Sequence, residues 1–254
     1  MKALITGASS GLGEQFAYLL STMGYDLILV ARRKTYLQNI KKKIKTNCTI
    51  IPLDLSDQDN IDDLYNIVRD EDIDIVINNA GFGLLGEFND INLDDEYKMI
   101  NINLKAVHYL TKKFVKKFIK QDKGYILNVS SSAAFTAGPL FSTYYATKGY
   151  VLKLSEGIYE ELRRNKSNVH ISVLCPGPID TEFNNVAHGK FKKAQSPEYV
   201  AKYAITKMFK NKLIIIPGIS NKLCVFATRL LPRKTLLRIN YKVQQKKIDL
   251  YNKK

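Results

Sequence analysis

Short, near-continuous apolar runs alternate along the chain with longer stretches in which apolar residues recur every three or four positions. The runs fall at residues 3–6, 26–31, 48–53, 73–78, 124–130, 169–175 and 213–217. They are rich in Ile, Val and Leu and read as strands buried on both faces. The periodic stretches fall at 13–23, 34–45, 58–69, 93–120, 143–165 and 197–210 and read as amphipathic helices. Ser56, Asn92, Ser142 and Ser196 stand where helix N-caps belong. Alternation sustained this long predicts an α/β fold, a doubly wound parallel sheet with right-handed crossovers in a single domain. Residues 177–195 break the pattern and leave from the carboxyl edge of the sheet, where ligands bind. They are the candidate substrate lid, and His188 lies within them.

Composition narrows the class. The chain has 254 residues, 45% hydrophobic and 25% charged, as expected of one globular domain. Its net charge of +15 is uneven: from Asn221 onward the only acid is Asp249, against ten lysines and arginines. The catalytic unit is expected to span 1–217, with 218–254 a basic amphipathic C-terminal segment. That segment is either part of the same domain or an interface element. Leu223, Val225, Phe226, Leu230, Leu231, Leu236, Leu237 and Ile239 mix there with basic residues, which suits a helix docked on anionic lipid or admitting an acyl chain. Packing of its apolar side on the domain or on a second subunit is the other reading. Cys48, Cys175 and Cys224 are far apart, and with His108, His170 and His188 they show no metal-ligand spacing. No metal is expected, and unpaired thiols suit a reducing compartment. The glycine motif comes at once, leaving no room for a leader, and no apolar run is long enough to span a bilayer. A cytoplasmic protein is the expectation.

The first strand runs into Thr6-Gly7-Ala8-Ser9-Ser10-Gly11-Leu12-Gly13 and then a helix. Gly7 allows the tight turn, Gly11 lets a pyrophosphate approach the backbone, and Gly13 lets helix and strand pack closely. The helix N-terminus offers free N–H groups and partial positive charge to phosphate. This is the dinucleotide site of a Rossmann-type sheet, with Ser9, Ser10 and Leu12 in the same turn. The second strand ends at Ala31, where an NAD site usually places an acid, and Arg32 and Arg33 follow. A guanidinium grips a 2′-phosphate with paired, charge-assisted bonds, so NADP is favoured over NAD. Asp54, after the third strand, either accepts from the adenine amino group or caps the following turn.

Tyr144 and Lys148 lie four apart on a predicted helix and so share a face. A nearby ammonium favours the phenolate and lowers a pKa that is ordinarily near 10, which makes the pair a general acid/base. Ser131 follows a strand, and Asn103 lies in a helix upstream. Asn78-Asn79-Ala80-Gly81 closes the fourth strand, and Pro176-Gly177-Pro178-Ile179-Asp180-Thr181 closes the sixth.

In these segments the sequence resembles the single-domain short-chain dehydrogenases/reductases. The Thr-Gly-x-x-x-Gly-x-Gly turn, Asn-Asn-Ala-Gly, Tyr-x-x-x-Lys and a Pro-Gly segment followed by Thr occur in order over roughly residues 1–217. The resemblance implies hydride transfer between a nicotinamide cofactor and a carbonyl or secondary alcohol. Tyr144 would move the proton, Ser131 would hydrogen-bond the carbonyl oxygen, and Lys148 would bind the nicotinamide ribose. Asn103 would hold a water linking Lys148 to solvent. Asn79, Ala80 and Gly81 would form the floor beneath the cofactor, and Pro176, Gly177, Ile179 and Thr181 would flank the nicotinamide. Spacing favours Tyr144 over Tyr145, Ser131 over Ser130 and Ser132, and Asn103 over Asn101. The resemblance also implies a homodimer or homotetramer formed through the helices near 93–120 and 143–165.

Phe82, Leu84, Leu85 and Phe183 suit an apolar ketone, 3-oxoacyl or similar. A dinucleotide-binding regulator without turnover is the rival, and it leaves Tyr144, Lys148, Ser131 and Asn103 without a reason. A nucleic-acid partner is not expected, because it leaves the glycine turn unexplained.

Overall fold

The structure is a computed structural model that describes residues 1–187 and 194–252. Among them β1 (Lys2–Thr6), β2 (Asp26–Val30), β3 (Cys48–Ile51), β4 (Ile75–Asn78), β5 (Gly124–Val129), β6 (Val169–Leu174) and β7 (Ile214–Ile215) form one sheet. The order is β3-β2-β1-β4-β5-β6-β7, and every pairing is parallel. The helices are α1 (Gly11–Thr22), α2 (Lys34–Lys41), α3 (Gln58–Val68), α4 (Leu93–Ile100), α5 (Val107–Gln121), α6 (Ser142–Arg164), α7 (Phe183–Val186), α8 (Pro197–Met208), α9 (Ile219–Ala227) and α10 (Arg233–Asn252).

Successive strand residues point to opposite faces, and both faces are covered. Ile5, Leu29, Ile77 and Leu127 pack with Phe16, Leu20, Leu37, Val200 and Met208 of α1, α2 and α8. Leu4, Ile28, Val76 and Ile126 pack with Leu64, Phe114 and Phe118 of α3 and α5. That is why the strands read as unbroken apolar runs. The chain winds outward from β1 in one direction and then, through β4, in the other. The crevice at that reversal is where such sheets bind ligands.

Three local expectations change. Residues 93–120 are not one α-helix: a π-helical turn, Asn101–Ala106, separates α4 from α5. Ser56 does not cap α3. Asp57 does, accepting from the Asp59 N–H at 3.0 Å, while Ser56 bonds back to Asp54. Ser142 is already helical, and buried Phe141 sits at the cap position without a side-chain bond. Asn92 and Ser196 cap α4 and α8 through their side chains as expected.

The loop after β6 is tied at both ends, because Ile179 and Gln195 form a parallel bridge. His188 lies outside the described residues. The C-terminal helices fold back on residues 132–145, and α10 docks through polar side chains. Asn240 donates to the Ala137 carbonyl (2.7 Å) and to Thr136 (3.0 Å), and Gln244 donates to the Tyr145 hydroxyl (2.6 Å). Leu223, Phe226, Leu230, Leu237, Ile239 and Val243 stay exposed. Val225 is buried and Leu236, Ile248 and Leu250 are half-buried, so apolar contacts accompany this polar docking.

Candidate active site

Gly7 and Gly11 take positive φ, +65° and +55°, a region that disfavours any side chain. A Cβ on Gly13 would lie 2.2 Å from the Gly7 carbonyl oxygen, and one on Gly7 2.7 Å from the Ala80 Cα. The turn is locked from below. Thr6 Oγ1 accepts from the N–H groups of Asn79 (3.0 Å) and Ala80 (3.1 Å), and Asn79 Nδ2 donates to the Thr6 and Gly7 carbonyls. Ser10 stands at the α1 N-cap and makes no side-chain capping bond. The first amides of α1 are thereby left to an anion.

A cavity of about 370 Å³ runs from this turn along the carboxyl ends of the strands. Ser9, Ser10, Gly11, Leu12, Arg32 and Arg33 line one end, and Ser131, Tyr144 and Lys148 line the wall beyond. Asn79, Ala80, Gly81, Pro176, Gly177, Ile179 and Thr181 lie between them. Asp54 accepts from the Ser56 N–H (3.0 Å) and hydroxyl (2.8 Å) through one oxygen and pairs with Arg32 at 3.7 Å through the other. Leu53 and Leu55, its neighbours, face the cavity. Arg33 donates to Ser10 (2.9 Å) and Ser9 (3.2 Å), lies over the Tyr36 ring, and is bridged by Glu182 at 2.8 Å. Sequence reasoning missed Glu182, because nothing in its local pattern marks it as facing Arg33 at the start of α2.

The helix α6 carries Tyr144 and Lys148 one turn apart, both buried. The Tyr144 ring stacks on Phe141 at 4.4 Å. A Cβ on Gly83 would meet both rings. The three serines separate by partner. Ser130 donates to the Lys148 carbonyl (2.7 Å), Ser132 opens a short 3-10 turn, and Ser131 meets the Tyr144 hydroxyl. Tyr145 is engaged by Gln244 of α10, and Asn101 by the Ser56 carbonyl. Asn103, in the π-helical turn, is fully buried. Its amide donates to the Phe82 carbonyl (2.8 Å) and Thr147 (3.2 Å) and accepts from the Phe82 N–H (3.0 Å). The amide clamps the strand-end segment against α6. Phe82 faces the cavity, whereas Leu84 and Leu85 pack behind it.

The electrostatics differ from the expectation of a lysine-lowered tyrosine. Burial pushes the Tyr144 phenol well above its ordinary value, and the Ser131 hydroxyl is the group that pulls it back. Lys148 donates to the Val129 carbonyl at 3.0 Å, and its Nζ lies 5.7 Å from the Tyr144 ring centre. Burial lowers its ammonium to about 8. Buried Cys175 is pushed up to about 12 and is no nucleophile. His108 contacts Tyr150, and His170 lies against Tyr125. No group of His, Cys, Asp or Glu among the described residues is arranged to hold a metal.

A second feature escaped the sequence. Lys247 of α10 lines the same cavity, hidden in the primary structure by a run of surface lysines.

The profile of the family described as short chain dehydrogenase matches residues 1–190. An uncharacterized oxidoreductase of Staphylococcus aureus strain N315 is 30% identical over 211 residues, covering 81% of this chain and 90% of that protein. Among solved structures, a short-chain dehydrogenase from Sphingobium yanoikuyae in complex with NADPH superposes with a TM-score of 0.81 at 26% identity, over 90% of this chain and 93% of that one. A bulky-bulky ketone specific alcohol dehydrogenase from Comamonas testosteroni gives 0.77 at 27% identity, over 90% and 92%. With the glycine turn, the sheet order and the Tyr144–Lys148 pair in one cavity, these likenesses place the protein in the short-chain dehydrogenase family as an oxidoreductase.

Proposed function

We propose that the chain interconverts an apolar ketone, 3-oxoacyl or similar, with its secondary alcohol, using NADP(H). One observation carries the reading: the Tyr144 hydroxyl, the Ser131 hydroxyl and the Lys148 ammonium share a cavity wall with the glycine turn. The residues present fit a dinucleotide. The cradle admits no Cβ at Gly7 or Gly13, and α1 offers free amides. Ser9, Ser10, Gly11, Leu12 and Gly13 would hold the pyrophosphate, and Arg32 and Arg33 the 2′-phosphate. Asn79, Ala80 and Gly81 form the floor, and Pro176, Gly177, Ile179 and Thr181 flank the nicotinamide, which when bound supplies or accepts the hydride. Asp54, the remaining cofactor-site candidate, acts through Arg32.

In the reducing direction Tyr144 gives its proton to the carbonyl oxygen. Ser131 donates a hydrogen bond to that oxygen as charge develops. Lys148 steadies the phenolate left behind, and Asn103 keeps Phe82 and the floor in place. A phenol held above its ordinary pKa keeps its proton at neutral pH, the form from which the reducing direction starts.

A panel of ketones followed with NADPH and NADH in parallel tests this. Turnover with NADPH is expected, and Tyr144→Phe should lower kcat by about 10²–10⁴-fold. Cofactor binding without turnover would make the protein a dinucleotide-binding regulator instead, and a preference for NADH would overturn the role of Arg32 and Arg33.

For the whole chain we propose a cytoplasmic homo-oligomer formed through α4, α5 and α6, where Tyr97, Ile119 and Tyr150 are exposed. No nucleic-acid partner is proposed. Peripheral contact with anionic lipid is assigned to α9, where Ile219, Leu223 and Phe226 are exposed on one side beside Lys222 and Arg229. No described helix is long and apolar enough to cross a membrane.

A further inference from the structure

Residues 176–181, which follow β6, are fastened from the side away from the cavity. The Pro176 carbonyl accepts from the Ser132 N–H at 2.8 Å. The Pro178 carbonyl accepts from the Gln195 N–H at 2.9 Å, and the Asp180 N–H donates to the Gln195 carbonyl at 3.0 Å. Between these anchors lies Gly177, and the group packed on it is the side chain of Asn221, the third residue of α9. A Cβ on Gly177 would lie 2.5 Å from Asn221 Oδ1, 2.7 Å from Nδ2 and 2.8 Å from Cγ. The whole amide therefore rests against the glycine backbone and leaves no space for a side chain there.

The amide is itself fixed. Asn221 Nδ2 donates to the Pro217 carbonyl at 2.8 Å and to Gln195 Oε1 at 3.1 Å, and Gln195 Nε2 donates to the same Pro217 carbonyl at 3.4 Å. Gly218, at φ +84°, makes the turn from β7 into α9, and a Cβ on it would lie 2.7 Å from Gln195 Nε2. Three stretches far apart in sequence, around Gly177, Gln195 and Asn221, thus meet in one polar clasp. Gly177 lines the cavity, and Asn221 and Gln195 stand behind it, outside the lining.

We infer that Asn221 is a positioning residue for the nicotinamide: through Gly177, and braced by Gln195, it sets where residues 176–181 meet that end of the cofactor. The inference rests on the dinucleotide part of the proposed function and is independent of the substrate. In that reading the phosphates are held by the glycine turn, Arg32 and Arg33, none of which bonds to Asn221. The two ends of the cofactor can therefore be weakened separately.

The test uses the full chain and compares each nucleotide with the fragment that lacks its nicotinamide. NADPH is titrated against 2′-phospho-ADP-ribose, and NADH against ADP-ribose, by calorimetry. In Asn221→Ala the intact nucleotide should bind about tenfold more weakly, the scale of one lost hydrogen-bonded contact, with fragment affinity unchanged. Gly177→Ala drives a methyl into the Asn221 amide and should also weaken the intact nucleotide. Adding Asn221→Ala removes that collision, so the double variant should bind the intact nucleotide more tightly than Gly177→Ala alone. Equal loss of nucleotide and fragment, or loss of neither, overturns the inference, and so do strictly additive effects in the double variant. A native chain that binds nucleotide but reduces no ketone defeats the proposed activity and leaves the role of Asn221 standing. One that binds neither nucleotide overturns both.

Discussion

Burial of the Lys148 ammonium costs the fold stability at neutral pH. Its pKa is about 8 in the folded protein against an ordinary 10.5. Between those values the unfolded chain binds more protons, so stability rises with pH across that window. Below pH 8 the cost is fully present, on the order of 3 kcal/mol. Lys148→Met removes it and leaves the Val129 carbonyl without its partner, a loss of roughly 1 kcal/mol. The variant should therefore melt higher at pH 7 by roughly 4 °C, with turnover abolished, and its advantage should shrink toward pH 9.5. Lys247 titrates in the same range, so the difference between wild type and variant, measured by calorimetry, is the quantity that isolates Lys148. A variant that melts lower would remove the argument. Arg33 offers a second case. Glu182 holds its guanidinium at 2.8 Å, with both side chains part-exposed. Glu182→Gln should tighten NADPH binding roughly two- to fivefold, the scale of an exposed ion pair, and leave NADH alone. Fluorescence titration with both nucleotides decides it.

At the scale of elements, strands were legible because both sheet faces are buried, so each reads as an apolar run between Gly, Asn or Asp. The turn from β1 into α1 was legible for a related reason: at Gly7 and Gly13 no other residue fits. The π-helical turn was not. Residues 93–121 are amphipathic throughout, and the extra residue per turn is selected by Asn103 reaching Phe82 and Thr147, partners distant in sequence. Nor was the docking of α10. Hydropathy puts leucines inward, whereas the contacts run through Asn240 and Gln244. The choice of Ser131 over its neighbours became physical only once Ser130 was seen bonded to the Lys148 carbonyl. The polar seam makes a prediction of its own. Gln244→Leu removes the partner of the half-buried Tyr145 hydroxyl, a loss of about 1 kcal/mol. Amide exchange along α10 should then rise severalfold, with exchange in β1, β4 and β5 unchanged. Equal acceleration throughout would mean that the seam is not a local fastening.

For the whole molecule, the C-terminal segment combines an excess of basic residues with exposed Ile219, Leu223 and Phe226 on α9. Vesicles containing phosphatidylserine should sediment the protein at low salt, and release it at 0.5 M salt, beyond the reach of screened attraction. Phe226→Asp should weaken the association. Equal capture by neutral vesicles, or none by charged ones, removes the membrane assignment. The family profile stops at residue 190, short of α9 and α10, yet α10 sends a side chain into the cavity. Under the proposed function, the proton-transfer residues lie within the profile and part of the cavity wall lies beyond it. A chimera that grafts the last helix onto a relative should import the donor's choice of substrate while the host keeps its own rate constants for hydride delivery.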